Sequence, residues 1–175
     1  MLTLVIGAAA SGKSEYAEKL ITDSGFMPRT YIATLRPYDD ESVARIEKHR
    51  RMRKEKAFRT VECYTGLKSL KLDGGAVLLE CMSNLTANEL FDPDGAGDDT
   101  VREICRGVDS VLSQCDELVI VSNDVFSAGS DYGGDTLRYL RVLADINRYI
   151  AAEADNVCEV VCGQAIYYKG KERRR

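Results

Sequence analysis

The residues of this chain best suited to chemistry form a short glycine-rich segment near its start. The segment fits the pattern G-x-x-x-x-G-K-[ST] and consists of Gly7, Ala8, Ala9, Ala10, Ser11, Gly12, Lys13 and Ser14. An apolar run at residues 2–6 precedes it, and a stretch with helical spacing at residues 13–21 follows it. Glycines in this spacing let backbone N–H groups turn inward, where they and the positive end of the next helix bind phosphate oxygens. All eight residues are therefore predicted to bind nucleotide phosphates. The alternative is a chance match to the pattern in an ordinary strand-turn-helix.

The glycine-rich segment has the pattern of a P-loop. Two of its side chains could form a magnesium site together with one carboxylate farther along the chain. Lys13 is expected to reach the β- and γ-phosphates as a mobile positive charge, and the Ser14 hydroxyl to ligate Mg²⁺. Glu80 follows the apolar run at residues 76–79, a position that resembles the Walker B acid of P-loop proteins. Ser14 and Glu80 are the predicted metal ligands. The alternative for Glu80 is a purely structural role as a polar residue at the end of a strand.

The chain has one histidine, His49, in a strongly basic segment. Residues 45–59 contain eight Lys or Arg against two Glu. On a helix, Arg45 and Arg53 would share a face with His49. Guanidinium groups donate paired hydrogen bonds to phosphate, and nearby cations favour the neutral, nucleophilic form of an imidazole. The segment therefore suits attack on a phosphate, but a solvated basic helix with an ordinary histidine is the alternative, and the charge pattern alone favours that alternative.

Apolar runs alternate with helical stretches, which is typical of an α/β protein with a largely parallel sheet. We expect strands at residues 2–6, 29–33, 59–62, 76–80, 117–122, 157–161 and 165–169. We expect helices at residues 13–21, 40–53, 100–114 and 136–153. The last two strands are close enough to form a hairpin, so the last one should run antiparallel. The loop at residues 127–134 follows a strand of the parallel part, where loops line ligand crevices.

Length and composition restrict the class of protein. A chain of 175 residues, 45% of them hydrophobic, predicts a single domain over residues 1–175. Its formal net charge of −4 argues against a general nucleic-acid binder. No apolar stretch is long enough to span a membrane and no export leader is recognisable, so we expect a cytoplasmic protein. Its six cysteines form no C-x-x-C pair and are expected to be free thiols.

The segment at residues 92–99 is acidic and rich in glycine, and it lacks apolar anchors. We expect it to be a mobile surface loop. The more specific alternative is an acidic metal site. The spacing of the acidic residues, however, does not fit the calcium-loop pattern with its terminal Glu.

Further motifs extend over nearly the whole chain. They are Tyr31-Ile32-Ala33-Thr34, Asp39-Asp40-Glu41 with Arg45-Ile46, His49-Arg50-x-x-Arg53, Phe58-Arg59-Thr60-Val61-Glu62, and Leu78-Leu79-Glu80-Cys81 with Asn84-Leu85. Together with the P-loop, this set resembles the bifunctional adenosylcobinamide kinase and adenosylcobinamide-phosphate guanylyltransferase family. The combination is much more specific than the P-loop alone.

The resemblance implies a fold, two reactions and a nucleophile. The fold would be a RecA-like P-loop α/β fold with a mostly parallel sheet, an antiparallel C-terminal strand and helices on both faces, assembled as a homotrimer. One reaction phosphorylates adenosylcobinamide, and the other transfers GMP from GTP onto the resulting phosphate. The implied substrates are this corrinoid, ATP and GTP, with Mg²⁺. His49 would be the residue that becomes guanylylated, with Lys13 as the second catalytic residue.

The resemblance also assigns nucleotide contacts beyond the P-loop. These are Ala33, Thr34, Leu35, Arg50, Arg51, Met52, Arg53, Glu62 and Glu80. Residues 123–126 and 141–147 depart from the family's usual pattern.

Two other functions are alternatives to the one that the resemblance implies. One is a plain P-loop kinase of a small hydroxylated metabolite, in which His49 only binds phosphate. A non-enzymatic nucleotide-dependent switch is another, although the guanine-reading Asn-Lys-x-Asp motif is absent from the sequence.

Overall fold

The computed structural model of the protein describes residues 1–37, 56–125 and 133–171. Its strands are β1 (Leu2–Gly7), β2 (Arg29–Ala33), β3 (Phe58–Glu62), β4 (Ala76–Glu80), β5 (Glu117–Asn123), β6 (Asn156–Val161) and β7 (Gln164–Lys169). Its α-helices are α1 (Lys13–Ser24), α2 (Met82–Phe91), α3 (Thr100–Leu112) and α4 (Gly134–Glu153), with short 3-10 helices at Leu67–Ser69 and Gly97–Asp99. All seven predicted strands are confirmed, with ends within one residue. Three predicted helices are confirmed, and the fourth, at residues 40–53, lies outside the described residues.

The sequence did not predict helix α2. It carries Ser83, Asn84, Thr86 and Asn88, which are poor helix formers because their side chains compete for backbone hydrogen bonds. Burial compensates for this low propensity, since seven of the ten residues of α2 are buried. Tertiary packing therefore decides the conformation of this segment.

The strands form one seven-stranded sheet in the order β3-β2-β4-β5-β1-β6-β7. Every neighbouring pair is parallel except β6 and β7, which form an antiparallel hairpin. This topology confirms the predicted parallel sheet and its antiparallel last strand.

Apolar side chains cover both faces of the sheet. On one face, strand residues such as Leu79 and Ile120 pack with Leu85 of α2, Ile104 of α3 and Ile146 of α4. On the other face, a smaller cluster contains α1 residues and strand residues, among them Ala17, Ile21, Leu78, Val119 and Val160. Helices therefore lie on both faces, as predicted, and no helix of the described ranges is long and apolar enough to cross a membrane.

The acidic segment at residues 92–99 lies at the surface and is tied to its surroundings. The buried Glu89 carboxylate accepts hydrogen bonds from the backbone N–H groups of Gly66 (2.7 Å) and Ala96 (3.0 Å). Arg36 forms ion pairs with Asp92 (2.8 Å) and Asp94 (3.1 Å). Polar contacts with Glu89 and Arg36 anchor the segment in place of the apolar contacts that its sequence lacks.

Candidate nucleotide-binding site

The parallel strands bring the predicted site residues to one edge of the sheet. In the register of the sheet, Gly7 at the end of β1 lies beside Asn123 at the end of β5. Ala33 at the end of β2 lies between Glu62 and Glu80, the last residues of β3 and β4. Carboxyl edges of parallel sheets are where ligands bind in α/β proteins. The P-loop and both predicted acidic residues thus lie at the same edge of the sheet.

The P-loop is a tight turn that leads directly into α1. Ala10 and Gly12 have positive φ angles of 57° and 90°, and Gly12 is the N-cap residue of the helix. The Lys13 ammonium folds back over the loop and donates a hydrogen bond to the Ala8 carbonyl oxygen at 3.0 Å. Lys13 is only 9% exposed, so its charge is held beside the helix N-terminus, where an anion is favoured.

The turn between β6 and β7 supports the P-loop from outside. The Gly163 N–H donates a hydrogen bond to the Ser11 carbonyl oxygen at 2.8 Å. A Cβ atom on Gly12 would lie 3.2 Å from the Gly163 Cα, and one on Gly7 would lie 2.8 Å from the Val160 carbonyl oxygen. Close packing against the hairpin therefore favours glycine at both positions, and at Gly12 the positive φ favours glycine as well. The sequence identified the hairpin, but nothing in its pattern indicated this contact.

Ser14 and Glu80 meet at the mouth of the P-loop. The Ser14 Oγ donates a hydrogen bond to the Glu80 Oε1 at 2.5 Å, and the Tyr31 hydroxyl donates one to Oε2 at 2.9 Å. A hydroxyl and a carboxylate oxygen this close are the hard oxygen donors that suit Mg²⁺, which commonly takes one or two protein ligands and completes its shell with phosphate oxygens and water. The residues present therefore fit a magnesium ion. No group of three or more His, Cys, Asp or Glu residues within the described ranges forms a metal site of its own.

A cavity of about 370 Å³ opens next to the P-loop. Its walls are formed by the P-loop residues from Ala10 to Ser14 together with Glu15, Glu18 and Lys56. Lys13 and Lys56 bring positive charge to this cavity, and the two glutamates bring negative charge. Neither Glu18 nor Lys56 was singled out by the sequence.

The chain that follows β2 is fixed to the end of β4 through Thr34. The Thr34 hydroxyl accepts a hydrogen bond from the Cys81 N–H (2.7 Å) and donates one to the Cys81 carbonyl oxygen (2.9 Å). The Asn88 side chain donates to the Thr34 carbonyl oxygen at 2.9 Å. Thr34 is fully buried, so its polar groups position the strand ends. Leu35, the next residue, lines a groove of about 220 Å³ with Phe91.

Glu62 lies at a second cavity, of about 380 Å³, which Arg36 and Tyr64 also line. The Tyr64 hydroxyl donates a hydrogen bond to the Glu62 Oε2 at 2.9 Å, and the Arg36 guanidinium lies 5.0 Å from the centre of the Tyr64 ring. Arg36 hydrogen-bonds to Asp94 and holds the pKa of that carboxyl below its usual range. The sequence missed this arrangement because Arg36 and Asp94 are 58 residues apart.

The remaining predicted site residues are His49, Arg50, Arg51, Met52 and Arg53. They lie outside the described residues, as do most residues of the predicted loop at residues 127–134. The described chain ends on either side of the first of these gaps at Pro37 and Lys56. Of the predicted residues, the structure thus places the P-loop, Ala33, Glu62 and Glu80 at one edge of the sheet, and it brings Ser14 into contact with Glu80.

Two solved structures have folds similar to that of this chain. The chain superposes on the flagellar accessory protein FlaH of Methanocaldococcus jannaschii with a TM-score of 0.50 at 13% identity, covering 97% of this chain and 78% of that one. It superposes on a second solved structure, an ATPase domain, with a TM-score of 0.51 at 11% identity, covering 90% of this chain and 68% of that one. At these identities the likeness shows the fold alone, and it confirms the RecA-like P-loop class.

Sequence comparison identifies the family. The chain is 37% identical to the bifunctional adenosylcobalamin biosynthesis protein CobU of Escherichia coli, over 97% of this chain and 100% of that protein. It is 34% identical to CobU of Salmonella typhimurium, over 97% and 100%. It is 29% identical to CobP of Pseudomonas aeruginosa, over 98% and 99%. The CobU family model, described as cobinamide kinase / cobinamide phosphate guanyltransferase, matches residues 3–167. The chain therefore belongs to the cobinamide kinase / cobinamide phosphate guanyltransferase family, and it is a transferase.

Proposed function

We propose that this protein catalyses both family reactions on one nucleotide site, and that His49 is the nucleophile of the second. The observation that carries the proposal is the family match over residues 3–167, which includes the single histidine, combined with the P-loop, Ser14 and Glu80 at one edge of the sheet. The substrates are adenosylcobinamide, its phosphate, and ATP or GTP.

In the kinase reaction, the P-loop N–H groups and Lys13 bind the triphosphate. The hydroxyl oxygen of adenosylcobinamide attacks the γ-phosphorus, the bond to the bridging oxygen breaks, and the nucleoside diphosphate leaves with the electron pair. The hydroxyl proton passes to solvent in the same reaction. Lys13 offsets the charge on the transferring group, since it is held beside the helix N-terminus.

In the guanylyltransferase reaction, a neutral ring nitrogen of His49 attacks the α-phosphorus of GTP, and pyrophosphate leaves with the electron pair of the broken P–O bond. A phosphate oxygen of adenosylcobinamide phosphate then attacks the resulting phosphoramidate. The N–P bond breaks, the electron pair returns to the imidazole, and adenosyl-GDP-cobinamide forms. Arginine side chains at positions 50, 51 and 53 suit the charge on the transferring phosphate, because guanidinium groups donate to it in pairs.

Magnesium fits this proposal at Ser14 and Glu80, where it supplies Lewis-acid stabilisation of the phosphate oxygens. The Ser14 and Glu80 side chains are within hydrogen-bond distance of each other, so both can contact a single ion.

The proposed nucleotide site is completed by contacts from seven further residues, which are Ala33, Leu35, Glu62, Arg50, Arg51, Met52 and Arg53. Thr34 contributes by holding the ends of β2 and β4 together. The protein is also predicted to be a homotrimer, and a measurement of the molecular mass of the purified protein in solution would test this oligomeric state.

Two labelled forms of GTP test the two reactions separately. With adenosylcobinamide as acceptor, label at the γ-phosphate should appear in adenosylcobinamide phosphate. With adenosylcobinamide phosphate as acceptor, label at the α-phosphate should appear in adenosyl-GDP-cobinamide, with release of pyrophosphate. Transfer of γ-label to other small hydroxylated metabolites, with no transfer of α-label, would overturn the proposal in favour of a plain P-loop kinase.

A further inference from the structure

Strand β5 lies between the two halves of the phosphate site. Its neighbours in the sheet are β1, which leads into the P-loop, and β4, which ends at Glu80. The last residue of β5 is Asn123, which lies beside Gly7 in the register of the two strands. The next residue, Asp124, donates its backbone N–H to the Gly7 carbonyl oxygen at 3.0 Å. The position of Asn123 is therefore fixed against the first residue of the P-loop.

The alternation of side chains along β5 places Asn123 on the face of the sheet that carries helix α1. Val121, two residues earlier, is fully buried in the apolar cluster that contains Ala17 and Ile21 of α1. Successive side chains of a strand lie on opposite faces, so Asn123 shares the face of Val121. Val121 is also the register partner of Glu80. Since each strand residue adds about 3.3 Å, Asn123 lies about 7 Å beyond the level of Glu80 at the carboxyl edge.

The amide group of Asn123 has hydrogen-bonding capacity left for a ligand. Its Nδ2 lies 3.9 Å from the Cys81 Sγ, and a thiol is only a weak acceptor. This is the side chain's one hydrogen bond to the residues that the structure describes. The backbone N–H of Asn123 donates to the Ser83 Oγ at 3.3 Å, at the start of α2. The backbone is thus held on both sides, while an amide N–H and the amide oxygen stay available.

A triphosphate bound to the P-loop lies over the carboxyl end of β5. The P-loop that follows β1 binds the phosphates, and a magnesium ion at Ser14 and Glu80 joins the β- and γ-phosphate oxygens. Because β5 separates β1 from β4, the phosphates between the P-loop and Glu80 cross the end of this strand. The γ-phosphate is the terminal group of that chain and extends outward from the cradle. The side chain that β5 presents at this point is Asn123.

We propose that Asn123 is a catalytic residue of the kinase reaction, whose amide N–H donates a hydrogen bond to an oxygen of the γ-phosphoryl group. This inference rests on the proposed function, since it assigns a partner to the group that the kinase reaction transfers. A fixed neutral donor stabilises charge on that group without adding a charge beside Lys13 and Glu80. The backbone contacts of Asn123 with Gly7 and Ser83 supply the fixed position that such a donor needs.

The first test compares the binding of two adenine nucleotides that differ in the γ-phosphate, in the presence of Mg²⁺. They are ADP and adenosine β,γ-imidotriphosphate, whose γ-phosphoryl group is not transferred. Adenine nucleotides are used because guanylyl transfer requires GTP. In Asn123→Ala we expect the Kd of the triphosphate analogue, measured by calorimetry, to rise about tenfold. The Kd of ADP should stay within about twofold, since ADP lacks the group that the amide contacts.

Two further variants sharpen this comparison. Asn123→Asp keeps the size of the side chain but replaces the donor with a carboxylate that repels the γ-phosphate, so its loss of affinity for the analogue should be larger still. Asn156→Ala is the matched control. Asn156 begins β6 at the opposite edge of the sheet, where its amide donates to the Thr3 Oγ1 at 3.3 Å. This variant should keep the wild-type ratio of the two Kd values.

The second test measures transfer of label from γ-labelled ATP to adenosylcobinamide. We expect kcat to fall about a hundredfold in Asn123→Ala, because the loss of one fixed donor to a group that carries charge in the transition state has an effect of this size. The kcat of Asn156→Ala should stay within about threefold of the wild-type value.

Three outcomes would overturn the inference. They are a rise of both Kd values by the same factor in Asn123→Ala, a kcat of Asn123→Ala within about threefold of the wild type, and binding of the analogue to Asn123→Asp as tightly as to the wild type. The first of these, together with a lower Tm, is the result that a purely structural role through Cys81 predicts.

The binding comparison separates failure of this inference from failure of the proposed function. Wild-type protein that transfers no label to adenosylcobinamide, but loses its preference for the triphosphate analogue in Asn123→Ala, would contradict the proposed function and keep the contact of Asn123 with the γ-phosphate. Wild-type protein that phosphorylates adenosylcobinamide, with an unchanged preference and kcat in Asn123→Ala, would contradict the role of Asn123 alone.

Discussion

The Ser14 hydroxyl and the Glu80 carboxylate, 66 residues apart in the sequence, lie 2.5 Å apart at the mouth of the P-loop. Strand β4 delivers Glu80, helix α1 delivers Ser14, and Tyr31 on β2 holds the second carboxylate oxygen. Three elements of the fold thus converge on one carboxylate. This convergence is the strongest link between the architecture and phosphate chemistry.

Removing either partner of this contact should impair both reactions. We expect Glu80→Gln and Ser14→Ala each to lower kcat about a hundredfold, and to raise the Mg²⁺ concentration needed for half-maximal rate, because each removes an oxygen donor for the ion. Steady-state rates measured over a magnesium titration check this. Tyr31→Phe is the control, since it removes one hydrogen bond to Glu80 and keeps the carboxylate, so its effect should be within about tenfold. Wild-type magnesium dependence in Glu80→Gln would rule out the metal role.

The contact between the hairpin and the P-loop predicts a selective effect of Gly163→Ala. Gly163 and Gly25 both have a φ of 77° and open space where a Cβ atom would lie, so alanine strains either backbone by about 1–2 kcal/mol and should lower the Tm similarly. Only Gly163 donates a hydrogen bond to the P-loop, at Ser11. Alanine keeps the backbone N–H, so Gly163→Ala acts through strain that shifts the turn away from Ser11. We expect this variant to weaken GTP binding about tenfold and Gly25→Ala to leave the Kd unchanged. Equal Kd values for the two variants, measured by calorimetry, would show that the hairpin does not support the loop.

The buried hydroxyl of Thr34 predicts a difference in stability between two identical substitutions. Thr34→Val leaves the buried Cys81 N–H without its acceptor and removes one of the two donors to the Cys81 carbonyl oxygen, which keeps the Leu85 N–H. It should lower the free energy of unfolding by about 1–3 kcal/mol. Thr86 on α2 is also fully buried, but its Oγ1 has no hydrogen-bond partner in the described parts of the chain. Thr86→Val should therefore be neutral or stabilising. Urea denaturation of both variants checks the difference, and a larger loss for Thr86→Val would contradict it.

The cysteines should differ sharply in reactivity. All six are free, and burial raises the pKa of Cys63, Cys105, Cys115 and Cys158 to about 11. At pH 8 such a thiol is only about 0.1% thiolate, and the thiolate is the reactive form. Cys162 is exposed in the hairpin turn next to the P-loop.

Iodoacetamide at pH 8 should therefore modify Cys162 first in the native protein, and the four thiols with a raised pKa far more slowly until the protein is denatured. Their native reaction rate should rise about tenfold per pH unit between pH 8 and pH 10, because the thiolate fraction does so below the pKa. Peptide mapping after timed quenching checks both points. Labelling of Cys158 as fast as Cys162 would contradict this order.

The sequence predicted those parts of the fold and site that depend on local patterns. The strands follow from short apolar runs, and the P-loop and Glu80 follow from motif spacing after β1 and β4. Helix α2 was missed because tertiary burial, rather than propensity, stabilises it. The contacts of Arg36 with Asp94, of Lys56 with Glu18 and of Gly163 with Ser11 were missed as well. Each joins residues far apart in the chain, and no local pattern specifies such pairs.

We propose that one P-loop site serves two reactions and that His49 carries the guanylyl group in the second. The most direct measurement is incubation with GTP labelled at the α-phosphate, followed by denaturation and peptide mapping. We predict one acid-labile, base-stable label on His49, formed in the presence of Mg²⁺ and absent from His49→Asn. The absence of covalent label under conditions where the protein binds GTP, or a label on another residue, would contradict the proposed role of His49.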